Sequence, residues 1–72
     1  MTPKILRQLW SVVENSQTKT LLQMDDASLV QWLVHQIKTQ AFLEPNETDF
    51  LIAYVQSRIT LIRDMAYERQ YS

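Results

Sequence analysis

Apolar residues recur at three- and four-residue spacing along most of this 72-residue chain, the period of helices that turn one face to a core. Ile5, Leu6, Leu9, Val12 and Val13 form the first stripe, which predicts a helix over 3–14. Thr2 is placed to cap it, and Pro3 suits the first helical position, where a missing N–H costs nothing. Trp10 falls at the edge of the stripe, either as a lid on the core or as part of a contact surface.

A second stripe, Leu29, Val30, Leu33, Gln36 and Ile37, predicts a helix over 26–39. Asp25 is its cap, Asp26 suits the positive end of the helix dipole, and Met24 can staple against Leu29. Trp32 flanks the stripe, while Gln31, His35 and Lys38 lie opposite and face water. Phe42 and Leu43 then read as a hydrophobic plug in the following connection.

Pro45 opens the third predicted helix, with Glu47 and Asp49 in a first turn whose dipole favours acids. The pattern continues to Arg69 without a breaker, so the helix spans 45–69. Its main stripe is Leu51, Ile52, Val55, Ile59, Ile62 and Ala66. A second stripe, Phe50, Tyr54, Leu61 and Met65, lies about 100° away at 3.6 residues per turn. An apolar arc this wide predicts packing on two sides. Residues 15–24 carry no clear period: Asn15 to Lys19 is polar and turn-prone, and the leucines of Thr20 to Met24 can form another helical turn, an extended connector or one arm of a short hairpin with Trp10 to Glu14, of which the connector is the favoured reading.

The expected fold is all-α, a three-helix arrangement over a single domain, 1–72, with the second and third helices as an antiparallel hairpin. Composition supports it. The chain has no glycine, which disfavours β-hairpins and phosphate-cradling loops that need positive φ. It has no cysteine, so neither a disulfide framework nor a thiolate metal site is available. The longest uninterrupted apolar run is Phe50 to Val55, far short of the roughly 20 residues that span a bilayer. The amino terminus leads into an amphipathic pattern instead of a signal block, so the expected location is cytoplasmic.

Charge narrows the candidate chemistry. The net charge of −1 gives no reason to seek polyanions. An acidic middle between mildly basic ends suggests that the ends fold back on the middle, although scattered surface charge reads equally well. His35 is the sole histidine; its helical neighbours Gln31, Trp32, Lys38 and Thr39 supply no carboxylate or second imidazole for a dyad or a metal. Asp25 and Asp26 lack the alternating ligands and sharp turn of a calcium loop, and capping accounts for both. No catalytic residue, cofactor or metal is expected, and the chain is not expected to be an enzyme.

Arg58 stands within the main stripe of the third helix, between Val55 and Ile62. Its head group can snorkel to water, pair with Asp25 or Asp26 across the hairpin, where Arg63 is also in reach, or anchor a partner. Length adds a further expectation. A helix over 45–69 is about 37 Å long, against roughly 29 Å for the diameter of a compact domain of this size. The helix should overhang and expose Leu61, Met65 and Tyr67. The expected function is therefore a non-catalytic protein–protein interaction module, a small adaptor, regulatory subunit or assembly factor, with self-association through the third helix as one form of it. Its contact residues are Trp10, Arg58, Leu61, Met65 and Tyr67. The alternative is a nucleic-acid-associated regulator using Arg58, Arg63 and Arg69, although Asp64 and Glu68 interrupt that set and the arginines do not share one face.

Overall fold

The computed structural model describes residues 3–71, and the expected Thr2 cap lies outside them. Four helices follow in chain order: α1 (Pro3–Asn15), α2 (Thr18–Gln23), α3 (Asp26–Gln40) and α4 (Pro45–Tyr71). The architecture is all-α, with no strand among the described residues. The three predicted helices are present with ends shifted by two residues at most; the fourth, α2, replaces the expected connector.

Local chemistry sets the helix ends. Asp25 caps α3 by accepting a 2.8 Å hydrogen bond from the Ser28 N–H, and Ser28 holds the Asp25 carboxyl below the ordinary aspartate range. Glu44 stands just before Pro45, and its N–H donates to Glu47 Oε1 at 3.2 Å, half of a capping box. The Thr48 N–H donates to the Glu44 carbonyl at 2.9 Å, the first intrahelical bond of α4. Helix α3 ends in the extended residue Ala41, whose N–H donates to the Ile37 carbonyl at 2.9 Å.

One core collects the stripes. Ile5, Leu9, Val12 and Val13 of α1 meet Leu29, Leu33 and Ile37 of α3 and Leu51, Val55, Ile62 and Ala66 of α4. Helix α3 packs against both α1 and α4. Val34, outside the predicted stripe, is buried as well, because a helix between two neighbours needs a wider apolar arc. Helices α3 and α4 run antiparallel, so that Asp26 at the start of α3 meets Arg63 well along α4.

Helix α2 has six residues, too few to be stable alone. Leu21 is fully buried and ties it to the core, and it packs on α4. Its C-terminal carbonyls are held by Arg63, which donates from NH1 to Leu21 O at 3.3 Å and from NH2 to Met24 O at 2.7 Å. The same guanidinium donates to Asp26 Oδ1 from Nε and NH2, at 3.0 and 2.8 Å. One side chain thus joins the end of α2, the start of α3 and the middle of α4. Arg69 does a similar job, donating to the carbonyls of Glu14 and Val13 in the last turn of α1 at 2.8 and 3.2 Å. Both cations sit at helix C-termini, where the dipole favours positive charge.

The expected overhang is covered in part: Leu61 and Tyr67 are exposed as expected, whereas Met65 is half-buried. Helix α4 has 27 residues, about 40 Å at 1.5 Å per residue, and the molecule measures 37 × 20 × 18 Å. It is elongated along α4, with α2 and the end of α1 packed where the overhang was expected, so Ile62 and Ala66 are fully buried. The plug is also half wrong. Leu43 packs on the core, whereas Phe42 is 88% exposed, since adjacent side chains of an extended segment point to opposite sides.

Candidate interaction surface

The buried residues of α4, Leu51, Val55, Ile62 and Ala66, define the face turned to the core. Rotating about 100° on the helix cylinder reaches Phe50, Tyr54, Leu61 and Met65. Phe50 is 51% and Leu61 47% exposed. Tyr54 and Met65 are half-buried, and Tyr54 packs on the core. The second stripe read from the sequence is thus present, but no helix covers Phe50 or Leu61.

Arg58 does not lie in the core. It is exposed, because a residue three after Val55 and four before Ile62 is rotated about 50° from the centre of the buried arc. Its guanidinium carbon stands 5.1 Å from the centroid of the Tyr54 ring, a cation–π stack that bridges the gap between Tyr54 and Leu61 on the stripe. Its NH1 also donates to Ser57 Oγ at 3.3 Å. The ion pair expected with Asp25 or Asp26 is formed by Arg63 with Asp26, at 2.8 Å.

The other expected contact residues divide. Trp10 is half-buried and packs on the core, as a lid. Tyr67 is 49% exposed but sits about 130° around the helix from the stripe, lining a shallow cleft against α2 with Thr18, Lys19, Leu22, Gln23 and Gln70. Leu61, Met65 and Arg58 therefore share one surface, and Trp10 and Tyr67 do not join it. Phe50 and Tyr54 belong there too; their helical spacing made them visible as a second stripe, but sequence alone did not say that it stays uncovered.

A cleft of about 380 Å³ continues the stripe at its C-terminal end, lined by Val13, Glu14, Met65, Glu68 and Arg69. Elsewhere His35 is exposed on the outer side of α3. No group of three or more histidine, cysteine or acidic side chains among the described residues could hold a metal ion. No described helix is long and apolar enough to cross a membrane. Comparison with family models, curated proteins and solved structures returns no match.

Proposed function

We propose that this chain is a non-catalytic protein–protein interaction module, acting in the cytoplasm as an adaptor, regulatory subunit or assembly factor, and that it docks through the outer stripe of α4. The observation that carries this reading is the uncovered pair Phe50 and Leu61 on the same helical face as Tyr54 and Met65. Isolated exposed apolar residues are ordinary on protein surfaces. A row of four at helical spacing, continued across its gap by the Arg58 stem and ring stack, is the form in which one helix presents itself to another.

The nucleic-acid alternative is weakened by where the arginines go. Arg63 and Arg69 donate to backbone carbonyls and to Asp26 within the chain, which leaves Arg58 as the arginine of the stripe. Affinity for phosphate falls steeply with salt, whereas an apolar interface changes little.

The test replaces Leu61 with glutamate. Sedimentation of the purified protein and quantitative capture from the native host are compared for wild type and Leu61→Glu. Loss of self-association or of specific captured proteins, with helicity unchanged, supports the module; identical behaviour of the two proteins removes this surface from the account.

A further inference from the structure

The charges that frame the α4 stripe say what kind of helix covers it, given the reading above that the stripe docks a partner. Glu47 precedes Phe50 by three residues, Glu68 follows Met65 by three, and Arg58 stands between Tyr54 and Leu61. All three project on the side of the stripe at helical spacing. A second copy fits this pattern poorly. If two such helices pair antiparallel so that Phe50 meets Met65 and Tyr54 meets Leu61, Glu47 faces Glu68 at both ends. If they pair parallel, each glutamate faces itself. Either arrangement opposes like charges, which selects against the pairing.

The C-terminal end of the stripe is also shaped for a cation. The cleft between α1 and α4 is lined by the apolar residues Val13 and Met65 and the acidic residues Glu14 and Glu68. Arg69 lines the same cleft, with its guanidinium donating to the carbonyls of Val13 and Glu14. Glu14 and Glu68 stand in the last turns of α1 and α4, the negative ends of the two dipoles, where a carboxylate weakens its own helix. Helix stability does not explain acids at these positions; Arg69 in the same cleft offsets one negative charge, and a basic side chain of a partner would offset the other.

We propose that the partner is an amphipathic helix of about four turns, with an apolar face that covers Phe50, Tyr54, Leu61 and Met65 and a lysine or arginine at each end. One of these basic residues lays its stem on Val13 and Met65 and its head group between Glu14 and Glu68. The other meets Glu47, and a carboxylate near the middle of the partner faces Arg58.

The probe is a fluorescein-labelled amphipathic peptide of about 18 residues, long enough to match the stripe, with leucines on one face and lysines in its first and last turns. A twin carries glutamates in place of those lysines, and both are titrated by fluorescence anisotropy. The lysine peptide should bind about tenfold more tightly at low salt, and the difference should vanish at about 0.5 M salt. In the Glu14→Gln/Glu68→Gln variant the preference should shrink while the melting temperature holds, because neutral amides remove the carboxylates from both helix ends without placing new cations beside Arg69. Equal affinity for the two peptides, binding of neither, or a preference unchanged in the variant would overturn the proposal. Wild-type self-association that Leu61→Glu abolishes would overturn this partner chemistry but leave the docking surface standing. Unchanged mass and peptide binding in Leu61→Glu would remove both.

Discussion

Replacing Arg63 with methionine removes a side chain that joins α2, α3 and α4 while keeping most of its stem packing. Four donated hydrogen bonds disappear, two to carbonyls of the α2 end and two to Asp26. The Arg63 side chain is 21% exposed and that of Asp26 71%, so the Asp26 pair is largely solvated and contributes at most about 1 kcal/mol. The carbonyls of Leu21 and Met24 lie in partly buried bonds, and leaving each unpaired costs about 1 kcal/mol, the lower end of the range for a buried acceptor. The total is about 2–3 kcal/mol, against a stability of about 4–11 kcal/mol for a domain of this length. Urea unfolding should resolve it easily, with Arg63→Lys intermediate and Asp26→Ala costing no more than about 1 kcal/mol. A loss below about 0.5 kcal/mol for Arg63→Met would refute the carbonyl clamp. An equal loss for Asp26→Ala would instead assign the stabilisation to the ion pair.

Three smaller outcomes follow from the same structure. Gln8 has a buried Oε1 with no hydrogen-bond partner, so Gln8→Leu should stabilise by about 1 kcal/mol in the same unfolding assay; destabilisation would mean that the amide is satisfied in solution. Arg58→Met should cost no more than about 0.5 kcal/mol, the lower end for an exposed cation–π stack, and a loss above about 1.5 kcal/mol would point to a buried pair. The Asp25 carboxyl is held below its ordinary value of 3.8 by the Ser28 backbone and side chain and by Arg63, so its contribution is complete above that value. That contribution is lost as pH falls through the lowered folded value. The melting temperature of wild type should therefore fall more between neutral pH and pH 3 than that of Asp25→Ala, and parallel curves would contradict the cap.

The parts of this fold that were legible in the sequence are those whose burial follows helical period. Leu9, Leu33, Val55 and Ile62 each fall on a predicted stripe and each is buried. Helix α2 was not legible, because its single fully buried residue, Leu21, sets up no period, and two of its six residues are threonines with modest helix preference. It is held from outside, by Arg63 and the core. That clamp could not be foreseen either, since hydrophobic pattern and charge pairing say nothing about a guanidinium reaching remote backbone carbonyls. Of the readings open for Arg58, the structure agrees with a head group in water: a rotation of about 50° from the buried arc moves it to the surface. At the candidate site, the apolar stripe is readable as period and the exposure of Leu61 from helix length, while the structure adds that Phe50 stays uncovered as well and that Tyr67 faces another side.

A stripe kept for a partner contributes little to the fold. The most direct measurement takes the Phe50→Glu/Leu61→Glu variant and records its thermal unfolding beside its association, by sedimentation and by anisotropy with the lysine peptide. The expected result is a melting temperature within about 5 °C of wild type, a change of about 1 kcal/mol at this size, together with loss of association. A much larger drop in melting temperature, or association that survives both substitutions, would contradict it.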